Sequence, residues 1–204
     1  MLNILTEEEL RTTQQLIQKG LAKSAISLEQ IINSPIEVNS IQYVIEDQNG
    51  VPQYSTKTGR KVHLIKTEII GDLKGICHLV FSQEEVEKVQ EKCLPKEIMA
   101  VNSPETRLMK LEFLTEIDNI LAASMIAQFA NHLNLKMYGH VPSLQVMKSN
   151  ELNSFIYDEA VSMNSSVQFK ATLCSSELEI MPEFIWLFKE DFIQYSREYA
   201  LQAG

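Results

Sequence analysis

The spacing of apolar residues changes several times along the chain, and each change marks an element. Over residues 5 to 33 they recur at helical intervals, which predicts a long helix. Thr6 stands where an N-cap belongs, and Glu7, Glu8 and Glu9 set negative charge at the positive end of the helix dipole. The pattern stops at Ile32-Asn33-Ser34-Pro35, because proline disfavours helical geometry in the residue before it. From 36 to 81 apolar and polar positions alternate and β-branched residues are frequent. IEVNSIQYVIED, KVHLIKTEII and LKGICHLVF read as three strands, joined as hairpins through QNGVPQ and Gly71-Asp72. SQEEVEKVQEKC, residues 82 to 93, reads as a short helix in which Ser82 and Glu85 form a capping box.

After the connector CLPKEIMAVNSP, a second long helix is expected from about Pro104 to Leu133. HVPSLQVMK reads as a strand and NELNSFIYDEAV as a short helix. SVQFKATLC and ELEIMPEFIWLF read as a strand pair, and KEDFIQYSREYAL as a closing helix. The order of long helix, strands and short helix therefore occurs twice. FSQEEVEKVQE at 81 to 91 parallels FKEDFIQYSRE at 188 to 198, each with an aromatic strand end, an acidic start and an amphipathic helix. The chain reads as a single domain, 1–204, with two pseudo-repeats at about 1–95 and 104–204. The expected fold class is α+β in two layers, an internally duplicated helix–strands–helix unit with one antiparallel sheet and two long helices on it.

Composition narrows the function. Of the 204 residues, 45% are hydrophobic and 22% charged, ordinary for a globular chain. The net charge of −9 and the lack of any Lys/Arg run argue against nucleic acid and anionic membranes as partners. Cys77, Cys93 and Cys174 share no close spacing, so neither a disulfide framework nor a zinc site is expected. The start of the chain lacks the pattern of a signal peptide and no stretch reaches the ~18 apolar residues of a membrane span, so the expected location is cytoplasmic. His63, His78, His132 and His140 are scattered, although His63 and His78 fall on adjacent expected strands. No metal site is expected from them, and no P-loop, GxGxxG or nucleophile elbow is present. Phe184, Trp186, Phe188, Phe192 and Tyr195 read as core packing.

The second long helix carries the candidate chemistry. At ~100° per residue, Leu114, Ile117, Leu121, Met125, Phe129 and Leu133 share one side and should face the sheet. Glu112, Glu116, Asn119 and Ala123 share the other. An asparagine in mid-helix has poor propensity, and the small neighbours Ala122, Ala123 and Ser124 leave room for a partner to approach. Asp118 points nearer to Ile117 and Met125 and is expected at the helix flank, reaching water or a basic group.

These features resemble the CheC/CheX family of chemotaxis phosphatases, which also includes FliY-type switch proteins. The resemblance spans nearly the whole chain and centres on E-x-x-N in a long helix, here Glu116-Ile117-Asp118-Asn119 followed by ILAAS. HVPSLQVM and GICHLVFSQEEVEKV also resemble family segments. The chain departs from the family pattern at Glu112, where an Asp or Ser is usual, and at Asp118 and Ala123, where glycines are usual. The corresponding stretch of the first half, QLIQKGLAKSA, holds Gln15 and Gln18 at the Glu and Asn places, with Arg11 four places before. The resemblance implies hydrolysis of the aspartyl phosphate on a CheY-like response regulator. Asn119 would orient the attacking water, Glu116 would pair with the receiver's lysine, and Glu112 and Ala123 would contact the partner. Gln15 and Gln18 would mark a degenerate first site. No cofactor is implied on this chain, because the receiver brings its own Mg²⁺. The resemblance also leaves room for a CheD-like protein, for a homodimer through edge strands, and for an inactive adaptor that binds a regulator without turnover.

Overall fold

The computed structural model describes residues 6–45, 60–165 and 167–203. In the first half, helix α1 (Glu7–Ile32) precedes strands β1 (Glu37–Ile45), β2 (Lys61–Gly71) and β3 (Gly75–Ser82) and helix α2 (Gln83–Cys93). A short helix, α3 (Lys96–Ala100), leads to the long helix α4 (Pro104–Leu133). Strands β4 (Met137–Gly139) and β5 (Ser143–Lys148), helix α5 (Ser149–Ser162), strands β6 (Val167–Cys174) and β7 (Glu183–Phe188), and helix α6 (Asp191–Ala203) complete the chain.

Local chemistry sets the helix ends. The Thr6 hydroxyl accepts from the Glu9 backbone N–H while the Glu9 carboxylate accepts from that of Thr6, a reciprocal cap on α1. Ser82 and Glu85 do the same for α2, as the spacing predicted. At α4 the pair is Ser103 and Thr106, with Pro104 at the first helical position, where its missing N–H costs nothing. Both long helices stop at an asparagine in the left-handed region, Asn33 (φ 47°) and Asn134 (φ 53°).

The seven strands form one antiparallel sheet in the order β1-β6-β7-β3-β2-β4, and β5 also pairs with β2. The expected β2–β3 hairpin and the β6–β7 pair are present. The expected β1–β2 hairpin is not, since β1 pairs with β6 from Glu37–Cys174 to Ile45–Val167. The QNGVPQ turn lies outside the described residues. Hairpin loops are short, whereas β1 ends at Ile45 and β2 begins only at Lys61. Exchanging β1 with β5, β2 with β6 and β3 with β7 maps the strand order onto itself, the order that an internal duplication would give.

Alternation along β2 sends Ile65 and Ile69 to the side of α1, α2, α4 and α6, and Val62 and Leu64 to the side of α5. The two-layer expectation thus describes the long helices on the sheet, while α5 adds a cover on the opposite face through Leu152, Ile156 and Ala160. The Glu159 carboxylate pins α5 there, accepting from Lys66 Nζ at 2.7 Å and meeting His78 Nε2. His63 and His78, on adjacent strands, therefore face opposite sides of the sheet.

Phe129 anchors α4. Its ring makes edge contacts with Phe169, Trp186, Phe188 and Phe192 at centroid distances of 6.3, 6.0, 5.6 and 5.5 Å. Helices α1 and α4 cross closely, with Gly20 against Met125, the Ser24 hydroxyl donating to the Leu121 carbonyl at 3.0 Å, and the Ser27 and Ser124 hydroxyls paired at 2.7 Å. This crossing corrects one reading of the small residues. Ser124 serves the helix–helix contact, Ala122 is buried, and only Ala123 is exposed.

Gly71 ends β2 at φ +118°, and a Cβ there would lie 2.1 Å from the Lys136 carbonyl oxygen. The next residue holds the same segment, since Asp72 N–H donates to the Lys136 carbonyl and Lys136 N–H to the Asp72 carboxylate. Gly71→Ala is expected to cost about 1–3 kcal/mol through strain and displacement of β4. Urea denaturation checks it, and an unchanged midpoint would refute the close approach.

Candidate functional site

One turn of α4 carries the candidate pair. Residues on an α-helix three apart share a face, and Glu116 and Asn119 are both exposed, as are Glu112 and Ala123 on the same side. Among the described residues, neither the Glu116 nor the Asn119 side chain takes a hydrogen bond or ion pair from its own chain. A free carboxylate and a free carboxamide therefore stand side by side. The carboxylate is an acceptor that can meet a cation, and the carboxamide offers an acceptor and two donors that can hold a water in one orientation.

A shallow pocket of about 290 Å³ opens beside Asn119. Its walls come from Ala122, Ala123, Ile126 and Ala127 of α4, Met137, Tyr138 and Gly139 of β4, and Thr67 of β2. Tyr138 is 59% exposed at its rim. Sequence reasoning missed Thr67 and Tyr138. Thr67 lies on β2, 52 residues before Asn119, and Tyr138 on β4, which folds back beside α4 and pairs with β2 from Ile69 onward. The exposed tyrosine after Met137 was the available signal.

Asp118 corrects an expectation. It is not at the flank but fully buried, with its Oδ2 accepting from the Thr67 hydroxyl at 2.6 Å. Its Oδ1 is buried without a partner. The helical period had directed it inward, and no basic group meets it there. Burial raises its pKa to about 7, and the Thr67 hydrogen bond opposes the rise. Cys77, opposite Thr67 in the β2–β3 register, faces this carboxylate, and burial together with the Asp118 charge pushes its thiol up.

Gln15 and Gln18 are exposed on α1, together with Arg11. Their amides carry no charge, so this face cannot reproduce the Glu116 carboxylate. Among the described residues, no group of three His, Cys, Asp or Glu side chains is placed to hold a metal, and no helix is long and apolar enough to cross a membrane.

No protein-family model matches the sequence, and no curated protein does either. Solved structures do match. FliY of Thermotoga maritima aligns at a TM-score of 0.66 and 16% identity, over 98% of this chain and 100% of that one. The chain has the CheC/CheX-type fold. CheX of Borrelia burgdorferi, solved as a CheX–CheY–BeF₃–Mg²⁺ complex, aligns at 0.53 with 14% identity over 85% of this chain and 98% of that one. The FliM middle domain of H. pylori aligns at 0.53 with 10% identity, over 96% and 99%.

The Asp118 carboxyl makes a signed prediction for this chain. Its folded value lies above the ordinary 3.8, so between pH 3.8 and about 7 the native state holds a proton that the unfolded chain has released. Stability from this group is complete below that window and is lost as pH rises through it. Relative to Asp118→Asn, the wild type should lose about 1.4 kcal/mol per pH unit from pH 5 towards 7, then level off. Urea denaturation of both proteins in a pH series measures this, and parallel curves would sink it.

Proposed function

We propose that this chain hydrolyses the aspartyl phosphate of a CheY-like response regulator at a single site on α4, with Asn119 orienting the attacking water and Glu116 pairing with the receiver's lysine. The observation that carries the reading is the exposed, unpartnered Glu116–Asn119 pair on one turn of α4. It stands on a fold shared with a CheX solved together with CheY, BeF₃ and Mg²⁺, where beryllofluoride stands in for a phosphoryl group.

An acyl phosphate needs little help from covalent chemistry, because phosphoryl transfer runs through a loose transition state in which in-line geometry counts most. The receiver supplies its own Mg²⁺ and lysine, so the tasks left are docking and placing a water. The Asn119 amide can hold the water but has no useful pKa and is not a base. The water oxygen bonds to phosphorus as the bond to the receiver's aspartate oxygen breaks. Fixing that water converts an encounter from solvent into an oriented one. Glu116, one turn away, sets the register through a charge-assisted bond. An acidic chain cannot rely on bulk attraction to an acidic receiver pocket, so local pairing of this kind carries the specificity.

An adaptor that binds a regulator without turnover is the second reading. The uncharged Gln15/Gln18 face and the Ala123 methyl on the docking side favour it, as does a fold that also occurs in a FliM middle domain. Asp118 does not favour it, since the residue lies beneath the face rather than on it.

Phosphate release from a Mg²⁺-loaded, phosphorylated receiver of the same organism separates the two. The wild type should accelerate release. Asn119→Ala should cut kcat by about 100-fold or more, and Glu116→Ala should cut kcat/KM by a similar factor. Gln15→Ala should change neither by more than about twofold. Tight binding of the phosphorylated receiver with no acceleration would replace the enzyme reading with the adaptor.

A further inference from the structure

The turn that presents Glu116 and Asn119 to solvent sends Asp118 into the interior between them. Around it α4 packs through Leu114, Ile117, Leu121 and Ala122, all buried and apolar. Such contacts hold the helix onto the sheet but carry little directional preference of their own. Hydrogen bonds are directional, and among the described residues α4 makes several to its neighbours, including Lys110 Nζ to the Met99 carbonyl of α3 at 3.5 Å. Gln90 of α2 reaches the Lys110 carbonyl near its start, Ser24 and Ser27 of α1 reach Leu121 and Ser124, and Thr67 of β2 reaches Asp118.

Thr67 is well placed to transmit position. Its hydroxyl donates to Asp118, its methyl lies against Gly139 of β4, and the residue lines the pocket beside Asn119. It also sits where β2 changes partner, between the stretch paired with β5 through Lys66 and that paired with β4 from Ile69. One side chain thus touches the helix that bears the pair and the strand that walls the pocket.

The carboxylate is costly where it stands, with Oδ1 unpartnered and no cation to meet it. A polar atom left unsatisfied in a core costs stability and calls for an explanation. The first half gives an internal comparison. Counting from Gln15 and Gln18 as the counterparts of Glu116 and Asn119, the counterpart of Asp118 is Ile17, buried and apolar. The half with an uncharged outer pair has no inner carboxylate.

We propose that the buried Asp118–Thr67 hydrogen bond is a positioning device, holding the Glu116–Asn119 turn at a fixed height and rotation over β2 so that both side chains enter the partner together. Asp118 touches neither the pocket nor the reacting atoms, so it acts through Asn119 and Glu116. Its catalytic consequence rests on the phosphatase reading above, while its mechanical consequence does not.

The test uses the full chain and two readouts. Hydrogen–deuterium exchange of α4, without any partner, reads the hold on the turn. Phosphate release from the phosphorylated receiver reads the consequence. Thr67→Val keeps the shape and removes the donor. It should raise exchange over residues 116–123 by about tenfold, leave 126–130 nearly unchanged, and lower kcat by about 10- to 100-fold with KM within about twofold. Thr67→Ser, which keeps the hydroxyl and loses only the methyl, should restore most of the protection over residues 116–123 and most of the kcat that Thr67→Val loses. The double variant Thr67→Val/Asp118→Leu removes both polar groups and should fold at least as stably as Thr67→Val without recovering kcat. Wild-type exchange in Thr67→Val would overturn the proposal, as would full kcat in the double variant. A wild type that exchanges as expected but releases no phosphate would sink the phosphatase reading and leave the positioning device standing.

Discussion

Neither half of the chain completes its own side of the sheet, and the rest of the structure depends on that constraint. The first strand of the first half, β1, lies against β6 of the second, and β4 and β5 of the second lie against β2 of the first. Each end of the sheet is closed by a strand from the other half. The candidate site inherits this arrangement directly. Its outer pair comes from α4, its floor from Thr67 of β2, and its wall from β4. A fragment holding only α4 and the elements C-terminal to it would lack β2, and so would lack both Thr67 and the strand on which β4 is hydrogen-bonded.

The two faces of the sheet do different work. Towards the long helices the side chains are large and aromatic, and Phe129 sits among four rings that fix α4 near its C-terminal end. Towards α5 the strands carry Lys66, His78, Lys170 and Glu183 among the aliphatic residues, and ion pairs such as Lys170–Glu183 at 3.0 Å offset the cost of burying charge. The apolar anchoring on the first face lets the outer side of α4 stay polar. With Leu114, Ile117, Leu121, Met125 and Phe129 all buried, Glu112, Glu116 and Asn119 have no share in holding the helix. They remain free for a partner.

Periodicity made the outward direction of Glu116 and Asn119 legible, because an uninterrupted helix from Pro104 to Leu133 leaves no freedom in which side a residue faces. The Thr6 cap and the Ser82–Glu85 pair were legible because they act within a few residues, while the reciprocal bond from the Thr6 N–H to Glu9 appeared only in the structure. What stayed hidden was non-local. The strand partner of β1 is more than a hundred residues away, and a strand's own pattern does not name its neighbour. Thr67 lies 51 residues before Asp118, so the inward carboxylate could be seen but not what it meets. The cover by α5 had a signal that went unused. All six residues of β7, EFIWLF, are buried, and a strand with so little polar alternation is one covered on both faces.

The remaining puzzle in the motif was an acidic residue where the resemblance leads one to expect glycine, and burial changes what that departure means. On the outer face a carboxylate beside Glu116 would add like charge next to the exposed pair. Inside, the same group leaves the surface untouched and acts on the backbone that carries it. Glycine at that place would let the helix lie close to β2 but would give it no directional hold. Asp118 instead spans the gap to Thr67 with one short hydrogen bond. The cost of burying it falls on stability at neutral pH, and its effect falls on geometry. Stability and presentation of the pair are therefore coupled through a single side chain, so a variant that stabilises α4 by removing Asp118 would be the one that loosens the turn bearing Glu116 and Asn119.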